Sequence, residues 1–270
     1  MSFLSTTGAT PVTISTPLDT DNINYKCAFR VTYQLLGYLN TGKVTGGYSE
    51  CSKSDGGDGY VAGIMSFTTK WGSMLDVVNA YKATPNYKKE FDALIPTLEK
   101  YSKETSGSVE GLDKLCDAWG AASKNSNYFK NAQISVARSQ YDYPALNATE
   151  SLNLRFPISK SVMINTAIVG GLGNSGYELG AVFGATNATI KGDVKGGSGS
   201  TLTIDKYSVD EIAWLSTFLD TRDKLSKSSS KPVTDIYRGL IKNGFYKFSD
   251  TIAFTGFDNK QVSIACNKLY

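Results

Sequence analysis

Residues 54–67 read SDGGDGYVAGIMSF, a glycine-rich turn that carries two carboxylates and runs directly into an apolar segment. Glycine supplies the backbone conformations that tight turns need, and Asp55 and Asp58 beside these glycines are typical turn formers. The apolar residues between Tyr60 and Phe67 predict a strand after the turn. The sequence therefore predicts a turn that displays carboxylates at the end of an apolar strand.

Composition places the chain among ordinary globular proteins and excludes several kinds of active site. The 270 residues are 41% hydrophobic and 20% charged, which suits one large domain or two modest lobes. The chain has no His, which excludes Ser-His and Cys-His couples and imidazole metal sites. We therefore expect no metal and no cofactor, and any acid-base chemistry must use carboxylates.

Charge and hydropathy argue against nucleic-acid and membrane partners. The net charge is only +3 with scattered Lys and Arg, whereas nucleic-acid binding requires a basic stripe. No apolar run approaches the roughly 20 residues that span a bilayer. Residues 1–7 show neither the basic nor the apolar region of a signal peptide. A signal peptide removed beforehand, a cytosolic location and a non-classical export route all stay open.

Apolar spacing predicts a mainly helical fold with short strands and turns between the helices. Residues 1–20 are rich in Ser, Thr and Pro and predict an extended arm. Apolar residues three and four positions apart, or nearly continuous apolar sequence, predict helices at 27–39, 72–82, 85–98, 112–119, 159–169 and 233–242. We expect the helix over 159–169 to be buried on most sides.

Two further segments are predicted from their polar and glycine residues. Ser208 and Glu211 have the spacing of a capping box, with Tyr207 and Ile212 as a hydrophobic staple, so we expect a helix to start at Ser208. The glycine-rich residues 170–199 predict a long loop or hairpin. Within and after that segment, residues 186–191 and 201–204 are candidate strands.

The opening turn and several later segments resemble the glycoside hydrolase family 46 chitosanases. The family's active-site turn reads Asp-Gly-Arg-Gly-Tyr-Thr-Ala-Gly, and residues 67–78 resemble its Phe-Thr-x-Gly-Thr-Gly-Asp-Met-Leu-Glu-Val-Val. Further segments resemble the family in the same order, at residues 129–133, 141–145, 167–171 and 210–222. The resemblance implies a mainly α (α+β), two-lobed lysozyme-like fold with a small β-sheet beside the cleft. It also implies that residues 21–270 form a single domain of two lobes.

The resemblance implies glycoside hydrolysis, but the general acid is missing. An inverting glycosidase needs an acid and a base roughly 6.5–9.5 Å apart. Counting back from the aligned turn places the family's acid at Leu39-Asn40, and neither residue can donate a proton. From Asn22 to Ser49 the sequence contains no Asp or Glu.

The side of the general base also departs from the family. An ungapped match sets Gly56 opposite the family's catalytic Asp and Asp58 opposite its Arg. The Thr that helps hold the attacking water becomes Val61, and an Asp implicated in substrate binding becomes Ser73. A small gap would instead let Asp58 or Asp55 serve as the base.

We therefore predict a non-catalytic, lectin-like protein that binds chitosan or glucosamine oligomers in the inter-lobe cleft. The candidate ligand contacts are acidic and aromatic side chains on or beside the turn: Glu50, Asp55, Asp58, Tyr48, Tyr60 and Trp71. Turn formation and core packing are competing interpretations for these residues. An active chitosanase with Glu50 and Asp58 as its carboxylate pair is the alternative function. A structural protein that keeps only the fold is the third.

The resemblance also implies two structural features. Asp142 and Arg222 resemble an internal ion pair behind the family's cleft. Some family members carry a disulfide that resembles Cys51 with Cys116, and Cys27 with Cys266 would then link the two ends of the chain. Four free buried thiols are the open alternative.

Overall fold

The computed structural model describes residues 23–41, 47–248, 251–256 and 261–266. Within these ranges the helices are α1 (Ile23–Thr41), α2 (Ser73–Lys82), α3 (Ile95–Glu104), α4 (Leu115–Asn125), α5 (Asn127–Ala137), α6 (Tyr143–Ser151), α7 (Pro157–Gly170), α8 (Leu179–Thr189), α9 (Glu211–Leu225) and α10 (Lys231–Lys242). The strands are β1 (Cys51–Lys53), β2 (Tyr60–Ala62), β3 (Phe67–Thr68), β4 (Thr201–Ile204), β5 (Tyr207–Asp210), β6 (Thr251–Thr255) and β7 (Gln261–Ala265). A π-helical turn, Arg138–Asp142, precedes α6, and a short 3-10 turn, Phe245–Lys247, follows α10.

The described residues divide into two compact units. Tyr33–Gln140 form one, and the described residues up to Thr32 together with those from Tyr141 onward form the other. The predicted arm over residues 1–20 lies outside the described residues, and the two-lobed domain with its cleft stays a prediction.

The unit Tyr33–Gln140 has an aromatic core under a three-stranded sheet. The rings of Phe91 and Phe129 stack at 5.6 Å between centroids, and Trp119 meets Phe129 edge-on at 4.7 Å. All three side chains are fully buried. The antiparallel sheet has the order β1-β2-β3, and its register pairs Cys51 with Ala62 and Val61 with Thr68. Offset-stacked and edge-on ring pairs are the arrangements that aromatic quadrupoles favour, so this core is well suited to support the sheet.

The other unit is built on α7, which is buried along most of its length. Every residue from Pro157 to Ala167 is inaccessible to solvent or nearly so. This confirms the prediction of a helix buried on most sides. Two hairpins, β4-β5 and β6-β7, belong to the same unit, and the predicted strand over 201–204 is confirmed as β4.

A buried carboxylate at the start of α9 fixes the beginning of α7. Glu211 is fully buried, and its oxygens accept hydrogen bonds from the backbone N–H groups of Arg155 and Phe156 at 2.9–3.0 Å. The hydroxyls of Ser159 at 2.7 Å and Ser200 at 2.5 Å also donate to it. A carboxylate can be buried at acceptable cost only when its lone pairs are satisfied in this way.

The predicted capping box at Ser208 is wrong, because the chain is still a strand there. β5 extends to Asp210 by pairing with β4, and the helix begins at Glu211. Asp210 is the N-cap: its Oδ1 accepts from the backbone N–H groups of Ile212 at 3.0 Å and Ala213 at 3.1 Å. Burial acts to raise the pKa of Asp210, but hydrogen bonds, including one from Ser198, lower it below its ordinary value overall.

Two other predicted elements differ from the structure. Residues 85–94 form turns, so the predicted helix over 85–98 begins only at Ile95, with Pro96 in its first turn. The predicted strand over 186–191 is wrong, because α8 covers Leu179–Thr189 in spite of Gly180 and Gly184. The remaining helix predictions agree with α1, α2 and α10 to within a few residues at each end, whereas α4 continues six residues beyond the predicted end at residue 119.

All four cysteines are joined in pairs, one pair in each compact unit. Cys51 in β1 is bonded to Cys116 in α4, with 5.3 Å between their Cα atoms. Cys27 in α1 is bonded to Cys266 just after β7, with a Cα separation of 5.1 Å. The structure therefore contains disulfides and not the free buried thiols that the sequence also allowed.

Candidate functional site

The glycine-rich turn joins β1 to β2 as a closed hairpin end. The Ser54 backbone N–H donates to the Gly59 carbonyl at 2.8 Å, and the Gly56 N–H donates to the Ser54 hydroxyl at 3.2 Å. Gly57 and Gly59 both have φ of +77°, a conformation that side chains disfavour. The glycines are therefore required by the turn, and Asp58 lies between two of them.

Thr69 holds the backbone on the inner side of this turn. Its Oγ1 accepts from the Tyr60 N–H at 3.0 Å and donates to the Asp58 carbonyl at 3.4 Å. A Cβ on Gly59 would lie only 2.1 Å from Thr69 Oγ1, so glycine is the only residue that fits. Gly107 packs against the turn equally closely, since a Cβ added at this position would lie 2.0 Å from the Gly57 carbonyl oxygen.

Asp58, Lys70 and Trp71 form a contact cluster on the outer side of the turn, which we call the Trp71 cluster. The sheet register sets it up, because the Lys70 backbone N–H donates to the Asp58 carbonyl at 3.3 Å. Asp58 Oδ1 accepts from Trp71 Nε1 at 3.2 Å and from Lys70 Nζ at 3.4 Å. Lys70 Nζ also lies 4.9 Å from the centroid of the Trp71 ring. The Trp71 side chain nevertheless remains 64% exposed.

Glu50 and Asp55 are exposed carboxylates outside the Trp71 cluster. Among the described residues, none donates a hydrogen bond to either side chain. The Glu50 carbonyl accepts from the Gly63 N–H at 2.9 Å, so Glu50 lies at the end of the β1-β2 hairpin opposite the turn. Three residue pairs lie between that end and the Ser54–Gly59 pair, a span of four residue steps or about 13 Å along the strands.

The two tyrosines predicted to contact a ligand have different positions. Tyr60 is only 5% exposed and packs in the core, so its ring face is not available to stack on a sugar. Tyr48 is half-buried, and Lys130 Nζ lies 5.9 Å from the centre of its ring. The structure thus leaves Tyr48 and Trp71 as the aromatic candidates and excludes Tyr60 as a stacking surface.

Gln133 connects α5 to both ends of the segment that contains the turn. Its Nε2 donates to the Tyr48 carbonyl at 3.0 Å, and its Oε1 accepts from the Ile64 N–H at 3.2 Å. Trp119 Nε1 donates to the same Tyr48 carbonyl at 2.9 Å. Gly63 allows this approach, since a Cβ there would lie 2.5 Å from Gln133 Oε1. The sequence block at 129–133 therefore has a structural role beneath the sheet.

Three positions were aligned in the sequence analysis with the family's general acid, its water-holding Thr and its substrate-binding Asp. Residues 39 and 40 lie in the last part of α1, and their side chains are outside what the structure describes. Val61 is half-buried in β2 opposite Ser52 and Thr68. The hydroxyl of Ser73 is buried and accepts from the Thr68 N–H at 2.9 Å, so it supports the sheet.

Asp142 and Arg222, the predicted ion pair, are not joined by a hydrogen bond. Both side chains are fully buried in the same unit, but no described residue forms a hydrogen bond with Arg222 Nε, Nη1 or Nη2. Burial lowers the pKa of Arg222 to about 10, and the electrostatic influence of Tyr237, Asp223 and Tyr177, which acts to raise it, is smaller. Arg222 is therefore a buried guanidinium whose nitrogens have no hydrogen-bond partner among the described residues.

Neither a metal centre nor a membrane span is found in the part of the chain that the structure describes. No group of three His, Cys, Asp or Glu side chains there is arranged to hold a metal ion. No helix among the described residues is both long enough and apolar enough to cross a bilayer.

Comparison with known proteins defines the class of the chain. The sequence profile described as Glycosyl hydrolase family 46 matches residues 39–242. The chain belongs to this family. It is 30% identical over 233 residues to the chitosanase of Bacillus subtilis (strain 168), which covers 81% of this chain and 78% of that protein.

Solved structures of family members have the same fold. The native chitosanase from Bacillus subtilis MY002 superposes with a TM-score of 0.72 at 27% identity, covering 88% of this chain and 98% of that one. A mutant of that enzyme complexed with 6 GlcN has the same TM-score, identity and coverage. The complex of a Gynuella sunshinyii family 46 chitosanase with chitotetraose has a TM-score of 0.70 at 25% identity, covering 88% of this chain and 97% of that one. The fold class is therefore mainly α with small sheets, the lysozyme-like fold.

Sequence reasoning missed one member of the Trp71 cluster. Lys70 was not among the predicted ligand contacts, although it touches two of them, Asp58 and Trp71. A signal was present, because Lys70-Trp71 stands where the family segment reads Gly-Thr.

Proposed function

We propose that this chain is a non-catalytic, lectin-like member of family 46 that binds chitosan or glucosamine oligomers at the Trp71 cluster and Asp55. The observation that carries the proposal is the absence of any Asp or Glu from Asn22 to Ser49, together with exposed carboxylates beside an exposed indole at the turn. Relatives crystallised with 6 GlcN and with chitotetraose supply the ligand class.

The chemistry of the turn suits a sugar that carries ammonium groups. Carboxylates form charge-assisted hydrogen bonds with ammonium groups, and an exposed indole offers an apolar face to a pyranose ring. Asp58 lies beside Trp71, so one saccharide unit can contact both. The overall charge of +3 does not attract a polycation, so recognition must be local to these side chains.

One observation argues against hydrolysis at the same turn. Val61 has no polar atom on its side chain with which to position a water. A chitosanase remains the second candidate function, and the 30% identity to the Bacillus subtilis chitosanase favours it.

Calorimetry with a glucosamine hexamer tests the binding proposal. We expect the wild-type protein to bind at sub-millimolar concentration and Asp58→Asn to bind about tenfold more weakly, because one charge-assisted contact is lost. Asp117→Asn is the matched control, since Asp117 is an exposed acid in α4 that pairs only with Lys114 among the described residues. It changes the net charge equally and should leave affinity unchanged.

Failure to bind at millimolar hexamer would overturn the binding proposal. A reducing-end assay on chitosan separates the second candidate, because a non-catalytic protein produces no new ends. Release of ends by the wild type, abolished in Glu50→Gln, would show instead that the chain is a chitosanase with a relocated acid.

A further inference from the structure

The Trp71 cluster joins side chains from two separate segments of the chain. Asp58 lies in the turn before β2, whereas Lys70 and Trp71 follow β3. The pairing of β2 with β3 brings the three side chains into mutual contact.

Within the cluster, Lys70 has the position that a ligand ammonium group would take. Its Nζ lies 3.4 Å from Asp58 Oδ1 and 4.9 Å from the centroid of the Trp71 ring. A carboxylate and an aromatic face together are a standard environment for a bound primary ammonium. The amino group of a glucosamine unit is also a primary ammonium, so Lys70 and the ligand require the same contacts.

The Lys70 contact is weak enough to be displaced. A 3.4 Å separation is longer than the roughly 2.7–2.9 Å of a strong charge-assisted hydrogen bond. The side chains of Lys70 and Asp58 are 25% and 35% exposed, so solvent screens the pair. No described residue donates a hydrogen bond to Asp58 Oδ2, which leaves that oxygen available to a ligand as well.

We propose that Lys70 is an internal competitor that occupies the ammonium subsite of the Trp71 cluster and thereby sets its affinity for glucosamine units. The inference rests on the proposed function, because it assumes that amino sugars are the ligands. A glucosamine ammonium binds by displacing Lys70 Nζ from Asp58 Oδ1 and from the Trp71 face. An N-acetylated unit carries no ammonium and does not compete with Lys70.

Calorimetry on Lys70→Met with the glucosamine hexamer and its fully N-acetylated counterpart tests this proposal. We expect Lys70→Met to bind the glucosamine hexamer about three- to tenfold more tightly than wild type. In the wild type the ligand must first displace a partly exposed ion pair and a cation–π contact, and in the variant these contacts do not exist. Affinity for the N-acetylated hexamer should not increase. Lys70→Gln, which keeps a polar side chain without the charge, should give the same gain and guards against misfolding of the first variant.

The matched control is Lys114→Met, which removes an exposed lysine that also pairs with an aspartate but touches no indole. It should leave both affinities unchanged. Intrinsic tryptophan fluorescence reports ligand binding directly, because Trp71 is exposed whereas Trp119 and Trp214 are fully buried. The hexamer should change the emission of wild type and Lys70→Met but not of Trp71→Phe.

The outcomes separate this proposal from the proposed function. If wild type binds the glucosamine hexamer and Lys70→Met binds it equally or less tightly, Lys70 is not a competitor and only this inference fails. If only the lysine variants bind, the competitor proposal stands and the wild-type binding function fails. If neither protein binds, both proposals are overturned.

Discussion

Two carboxylates, Glu211 at the start of α9 and Asp58 in the turn between β1 and β2, show how surroundings decide what an acidic residue does. Glu211 is fully buried and accepts hydrogen bonds from two backbone N–H groups and two hydroxyls. Asp58 lies in an exposed turn, where one oxygen accepts two long contacts and the other has no donor among the described residues. The first carboxylate is committed to the fold, and the second still has capacity for a ligand.

Removing each carboxylate gives the largest expected contrast. We expect Glu211→Ala to lower the free energy of unfolding by about 3–5 kcal/mol, because two backbone N–H groups and two hydroxyls lose their acceptor. Asp58→Ala should cost less than about 1 kcal/mol, as is usual for an exposed ion pair. Urea unfolding of both variants measures the difference, and equal losses would contradict the structural role given to Glu211.

The glycines of the turn test whether its backbone is as constrained as the contacts indicate. Gly57→Ala should lower the free energy of unfolding by about 1–2 kcal/mol, because φ is +77°. The loss stays in this range because a Cβ at this position meets no neighbouring atom. Gly59→Ala should cost about 1–3 kcal/mol more, since its Cβ would displace Thr69 Oγ1 and the hydrogen bonds that Thr69 makes. Thermal unfolding of the pair gives the comparison. Similar losses at both glycines would show that Thr69 does not constrain the turn.

Replacing Arg222 should change the stability only a little, and in the opposite direction. Because no described residue forms a hydrogen bond with its guanidinium nitrogens, we expect Arg222→Met to raise the free energy of unfolding by about 1 kcal/mol near neutral pH. Glu211→Ala serves as the contrast, since it removes a buried charge whose hydrogen bonds are satisfied. A loss of several kcal/mol in Arg222→Met would show that the arginine has a strong partner after all.

The pH dependence of that effect follows from the shifted pKa. The pKa of Arg222 is lowered to about 10 in the folded protein, so above pH 10 the unfolded chain binds more protons at this residue than the folded protein does. The free energy of unfolding contributed by this group therefore rises as the pH increases above about 10, until the unfolded chain also loses the proton. The advantage of Arg222→Met should shrink over that window.

The regular helices could be predicted because their apolar spacing is decided locally. α2 and α10 follow from apolar residues three and four apart, which lie on one face of a helix, and α7 follows from nearly continuous apolar sequence. α8 was missed because Gly180 and Gly184 suggested a loop, although Leu179, Val182 and Thr186 have helical spacing and are buried. The helix start at Ser208 was wrong because pairing with β4, a non-local interaction, keeps residues 207–210 extended.

The site was only partly predictable for a similar reason. Asp58 and Trp71 could be proposed from the turn and its neighbours, but the contact of Lys70 with both depends on the register of β2 and β3. The residue type of Tyr60 does not show whether its ring is exposed. Its position on the inner face of β2 shows that it is buried. The resemblance implied that Asp142 is the partner of Arg222, but the absence of a hydrogen bond between them depends on side-chain positions that the sequence does not determine.

The Cys27–Cys266 bond gives the polypeptide the topology of a ring, because its two cysteines stand 239 residues apart. A protease that cuts one peptide bond between them opens the ring without releasing a fragment. The Cys51–Cys116 bond adds a smaller ring inside the first. Two cuts are therefore needed before any piece containing the turn can separate, as long as the sulfurs remain oxidised.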